Sequence, residues 1–210
     1  MITSAPYFTG NIEIPNISTD NVPNASRVGK NTKLLNFINE YEADALSKSL
    51  GFPLYTEFKS NLEVKTGATT ETVKDSAEQK WKDLFSGKTY EINGLTVRYR
   101  GIIYTEGTVK KSPLAYYVFK HFFENDMSHY GGIGLQIEDA KKSKRANYAP
   151  KFDLARHNFY ELIVGTKSNP KDSAGYRSLY QFIEDMNALD ATTYPNWMPY
   201  CFPKGNIMGL

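Results

Sequence analysis

The segment SPLAYYVFKHFFENDMSHYGGIG, Ser112 to Gly134, constrains this chain more than any other. Ser112 is placed to cap a helix, and Pro113 to occupy its first turn, where a missing amide hydrogen costs nothing. Ala115, Val118, Phe119, Phe122, Phe123 and Met127 then fall on one stripe. Leu114 and Tyr117 widen it until only a narrow face with Lys120 and Glu124 is polar. A helix apolar over most of its girth has two fates: it sits at the centre of a bundle, or it is shared between subunits. Tyr116, Tyr117, Phe119, Phe122 and Phe123 are therefore candidates for inter-subunit contact or for internal packing. The double glycine at 131 and 132 ends the helix without steric penalty.

The rest of the chain arranges itself around that helix. Residues 1–28 hold Pro6, Pro15 and Pro23 among Asn, Ser, Thr and scattered apolar residues, which precludes a helix and predicts an extended arm. Fully stretched, such an arm reaches about 90 Å. It lies either on its own domain or on a neighbour. Leu34, Leu35, Ile38, Tyr41, Ala45 and Leu46 predict a helix over Asn31–Leu50, stopped by Gly51 and Pro53. Shorter helices follow over Leu54–Leu62 and Ala77–Phe85, separated by a polar stretch, EVKTGATTETVKDS, that carries the marks of a linker. Asn93-Gly94 between two alternating runs is the strongest short hairpin signal, because the tight turn needs positive φ at both central residues. It places a β-hairpin at about 88–104 that must pack on the helices or pair with another chain, since two strands alone are marginal in water. Apolar stripes predict further helices over Pro150–Val164 and Ala174–Asn187. The end, TTYPNWMPYCFPKGNIMGL, has three prolines and four aromatics and cannot be regular.

These expectations amount to a mainly α chain: a helical bundle with an inserted β-hairpin, an extended N-terminal arm and an irregular C-terminal tail. The units are an arm over 1–28, a helical domain over 29–190 and an aromatic tail over 191–210. A length of 210 residues suffices for one domain with a real core.

Most chemistries fail on spacing. GGIGLQ follows a helix rather than a strand and meets neither nucleotide-loop pattern. His121, His129 and His157 lack any metal-ligand spacing. Cys201 with His157 has no nucleophile signature around it. Glu138 and Asp139, being adjacent, point about 100° apart on a helix and do not frame a substrate. No catalytic residue, cofactor or metal is expected, and the protein is not expected to be an enzyme. With 25 Lys plus Arg against 23 Asp plus Glu, the net charge of +2 gives no broad field for nucleic acid or an anionic membrane. The dense basic run KKSKR supplies Lys141, Lys142, Lys144 and Arg145 as candidates for partner or DNA contact. One cysteine points to a reducing compartment. The start of the chain lacks a signal-peptide pattern, and no apolar run is long enough to span a bilayer, so neither export by that route nor a membrane is expected.

The stretches KNTKLLNFINEYEADALSKSLG, SPLAYYVFKHFFENDMSHYGGIG and KFDLARHNFYELI resemble, in order and character, the head-tail connector (adaptor, or ring) proteins of tailed bacteriophages, in particular those of Bacteroidales and crAss-like phages. The resemblance covers roughly residues 30–190. It implies a structural virion protein that forms a homo-oligomeric ring of about twelve copies between portal and tail, with packaged DNA passing through the channel. Partners would be further copies of the chain, the portal protein and tail or further ring proteins, at the neck of a virion assembled in the host bacterial cytoplasm. From the residues alone, the alternative is a small helical nucleic-acid-binding module using the Lys141–Arg145 run.

Overall fold

The computed structural model describes residues 1–14, 17, 25–131, 134–137, 149–165, 175–195 and 197–198, of which 25–28, 30, 126–131, 134–137 and 149 as backbone only. Two single 3-10 turns, Ala5–Tyr7 and Gly10–Ile12, precede the helix α1 over Ala25–Leu50. There follow α2 (Phe52–Ser60), β1 (Leu62–Val64), β2 (Glu71–Val73), α3 (Gln79–Ser86), β3 (Lys88–Ile92), β4 (Leu95–Tyr99), β5 (Tyr104–Glu106), β6 (Val109–Lys111) and α4 (Pro113–Met127). The last elements are β7 (Ser128–Gly131), β8 (Gly134–Ile137), α5 (Ala149–Ile163), β9 (Tyr176–Arg177) and α6 (Leu179–Leu189).

The mainly α expectation is corrected here. Six α-helices alternate with nine short strands in four small sheets among the described residues, so the fold is mixed α and β. The additional strands escaped notice for physical reasons. The stretch marked as a linker contains β1 and β2, which pair Leu62 with Val73 through Val64 with Glu71. Three-residue strands are too short to display an alternation. The double glycine does not simply end a helix either: α4 stops at Met127, and β7 and β8 continue with Gly131 opposite Gly134.

The aromatic helix α4 lies between α1 and α5. Leu114, Ala115, Val118, Phe119 and Phe122 are all 1% exposed or less. Burying each large apolar side chain is worth about 1.5–3 kcal/mol, so this one helix supplies much of the driving force for folding. Phe122 meets Phe37 of α1 edge-on at 5.4 Å, and Tyr117 meets Phe159 of α5 at 5.1 Å. A second centre forms where β3, β4 and α3 meet α6: Tyr99 stacks on Phe182 at 4.3 Å, and Trp81 and Trp197 lie 5.6 Å apart. Helix α6 starts cleanly because Ser178 accepts a hydrogen bond from the Gln181 amide while Gln181 accepts one from the Ser178 amide.

The Asn93-Gly94 turn joins β3 to β4, with φ of 50° and 74° at those residues. Tyr90 pairs with Val97 and Lys88 with Tyr99, so one face of the hairpin is buried and the other carries Thr89, Glu91, Thr96 and Arg98 into solvent. The third strand, β9, runs parallel to β4.

Candidate functional site

Of the candidate contact residues on α4, Tyr116, Tyr117, Phe119 and Phe122 are buried inside this chain, and Phe123 is half-buried against Phe119. They serve internal packing. No subunit contact can use the four buried ones without unfolding the helix from its neighbours. Lys141, Lys142, Lys144 and Arg145 lie outside the described residues, as do Glu138, Asp139 and Cys201. His157 is exposed on α5, with Nε2 3.2 Å from Glu161.

What the sequence presents as the polar face of α4 is a seam between helices. Tyr117 donates its hydroxyl to Asp44 of α1 at 2.5 Å, and Lys48 donates to the same carboxylate at 2.7 Å. His121 stacks on Tyr41 at 4.1 Å, its Nε2 buried without a hydrogen-bond partner. Burial, and then the adjacent Lys120 ammonium, hold its pKa down at about 4, so the ring is neutral at ordinary pH. Lys120 is itself only 2% exposed, with Glu124 at 3.8 Å, and burial lowers its pKa. Burial and then the Asp44 carboxylate raise that of Tyr117. The seam fixes the register of α1 on α4. It offers no activated nucleophile: the tyrosine is held protonated, and the histidine, whose Nδ1 lies 3.5 Å from Glu124, is held neutral with its Nε2 enclosed. No cluster of three metal-ligating side chains occurs among the described residues.

The arm supplies a second polar centre that sequence reasoning missed. Glu42 of α1 is 3% exposed, and its carboxylate accepts from the Ile2 amide at 2.5 Å, the Thr3 amide at 2.6 Å and the Thr3 hydroxyl at 2.7 Å. Burial raises its pKa, and these three donors counter the rise. The signal was present in the pattern: Glu42 sits four residues after Ile38 and four before Leu46, in the middle of the buried stripe. A carboxylate there demands donors from another segment. The Met1 amine and Lys59 both pair with Glu71, at 2.7 and 2.5 Å, and the Glu71 amide donates to the Met1 carbonyl at 2.7 Å. Ile2, Phe8, Ile12 and Ile14 are buried with these contacts.

Among the described residues, two clefts can be outlined. One of about 350 Å³ lies between α3, β3 and α6, with Lys88 bridging the buried Asp83 at 2.9 Å and Tyr194 at 3.2 Å. Burial pulls the Lys88 ammonium down, but these two partners outweigh it and leave its pKa raised. The other, of about 230 Å³, lies between the second 3-10 turn and β6. Glu78 and Asp190 also line the first, and Lys110 and Lys111 line the second. Large apolar side chains project from a helix start and from strand ends: Phe52 at 74%, Leu95 at 63% and Val64 at 57% exposure. No helix among the described residues is long and apolar enough to cross a membrane. Compared with family models, curated proteins and solved structures, the chain matches none.

Proposed function

We propose that the protein is a non-enzymatic structural subunit of a virion, assembling as a head-to-tail connector ring between portal and tail, with DNA passing through the channel. The resemblance of its sequence names the assembly. The observation that supports a role in assembly is the set of β edges that pair with no further strand among the described residues. β3 and β9 are the edge strands of the three-stranded sheet, and β1–β2 and β5–β6 are ribbons of two strands each. An edge strand presents unpaired amides and carbonyls that another chain can pair with, and a two-stranded ribbon gains most from such a partner. In a closed ring an edge used by one copy is used in the same way by every other. Ring copies, the portal protein and a tail or further ring protein are the partners on this proposal.

Light scattering of the purified chain over a range of concentrations, with and without a portal protein, tests it. A discrete ring, formed alone or only on the portal, is expected. A species that stays at 23.8 kDa and ignores every virion component overturns the proposal.

A further inference from the structure

The arm is seated by contacts that belong to its sequence rather than to its covalent attachment. Both oxygens of the buried Glu42 carboxylate are taken by Ile2 and Thr3, and farther along the arm Phe8, Ile12 and Ile14 are buried, the second 3-10 turn lying against α5. The groove therefore cannot stand empty: vacating it strands a buried carboxylate and exposes an apolar surface. It also cannot accept any apolar filler, since the occupant must bring two backbone amides to one carboxylate.

Attachment, by contrast, is remote. Glu42 lies about 26 Å along α1 from its first residue, Ala25, at about 1.5 Å per residue. Between Ile14 and Ala25 the sequence PNISTDNVPN carries two prolines and no two adjacent apolar residues. Ten residues extend to at most about 35 Å, which is comparable with the distance between neighbouring copies of a chain whose radius of gyration is about 17 Å. The same arm thus reaches its own groove or that of an adjacent copy, with identical contacts in both.

We infer that the groove around Glu42 is an arm-exchange site, and that in the assembled protein it is filled by residues 1–14 of a neighbouring copy. This deepens the connector proposal and rests on it for the identity of the assembly. Exchange explains how closure is favoured: in an open chain of copies one groove and one arm stay unmatched, while in a closed ring none do.

Zero-length cross-linking tests the inference on the full chain. Isotope-labelled and unlabelled chains are mixed, unfolded together, refolded at high concentration and offered the portal protein. A carbodiimide then joins the Met1 amine to the Glu71 carboxylate, a pair 2.7 Å apart. Mass spectrometry of the linked peptides reads whether both ends carry the same label. Exchange predicts mixed-label links as abundant as same-label ones in every species larger than one chain. A ring that carries only same-label links overturns arm exchange and leaves the connector proposal standing. A chain that remains single, with only same-label links, overturns both. Mixed links in an oligomer indifferent to the portal uphold exchange and overturn the connector.

Discussion

Two hairpins of this chain obey the same backbone rules and end in opposite environments. β3–β4 turns through Asn93-Gly94 and lays Tyr90, Val97 and Tyr99 into the core, each less than 10% exposed. β5–β6 turns through Gly107, with φ of 62°, and leaves Thr105, Glu106, Val109 and Lys110 in solvent. Pairing is antiparallel in both, so hydrogen bonding does not separate them. Side-chain size on the inward face does. β3–β4 offers two tyrosines and a valine to α6, whereas β5–β6 offers a salt bridge between Glu106 and Lys111 across the ribbon. The first hairpin is an integral part of the core, and the second is a surface feature that touches the arm through β6.

The sharpest way to break this contrast is at the base of β3–β4. Gly101 has φ of +97°, and a Cβ built there would lie 2.5 Å from the Ser86 carbonyl carbon and 2.7 Å from the Phe85 oxygen. The neighbours are backbone atoms of the α3 terminus, so they cannot rotate away. Gly101→Ala therefore combines a backbone conformation that L side chains avoid with a steric overlap, and is expected to cost about 3 kcal/mol or more. Urea unfolding followed by circular dichroism measures it. An unchanged midpoint would show that the α3–β4 junction relaxes freely and that the first hairpin is no more integral than the second.

This asymmetry also explains what was legible beforehand. Asn93-Gly94 announces itself because its turn conformation is a local, steric requirement, and long helices such as α1 and α4 announce themselves because their stripes repeat over several turns. β5–β6 has no apolar alternation and β9 has only two residues, Tyr176 and Arg177. The latter is a strand because the Gly175 carbonyl accepts a hydrogen bond from the Arg98 amide at 2.7 Å and Arg100 stacks on the Tyr176 ring at 3.8 Å, contacts between residues more than seventy positions apart. The burial of Lys120 was illegible for the same reason: a lysine between apolar residues looks solvated until the packing of α1 and α5 encloses it. Glu42 is the opposite case, a charged residue on a buried stripe that was readable as an anomaly, although its partners at Ile2 and Thr3 were not. The basic run at 141–145 falls outside the described residues.

A smaller effect tests whether the first hairpin is also held by polar contacts. The Tyr90 hydroxyl donates to Asp185 of α6 at 2.7 Å, and Arg177 Nε donates to the same carboxylate at 3.0 Å. Tyr90→Phe keeps the ring beside Phe182 and removes one donor, while Arg177 continues to serve the carboxylate. The expected loss is about 1.5 kcal/mol, the low end for a hydrogen bond to a charged group, because the carboxylate keeps its other donor. A loss near that of Gly101→Ala would mean that the bond to α6, rather than apolar burial, fixes the hairpin.

The smallest effect belongs to β5–β6. Glu106 pairs with Lys111 diagonally across the ribbon, with Arg100 4.0 Å away, and its side chain is 51% exposed. The Lys111 ammonium holds its pKa below the ordinary carboxylate range. A depressed carboxylate pKa contributes stability that is present above the unfolded value and lost as pH falls through the folded one. Exposure and salt screening limit that contribution, so Glu106→Gln is expected to shift stability of the isolated chain by about 0.5 kcal/mol or less. On the connector proposal the same substitution matters more in the ring, because pairing a ribbon edge with another chain removes water from the ion pair and strengthens it. Comparing the unfolding midpoint of the single chain with the mass distribution of the assembly separates the two. A variant that leaves both unchanged places β5–β6 outside any interface and leaves the other edges, β3, β9 and β1–β2, to carry assembly.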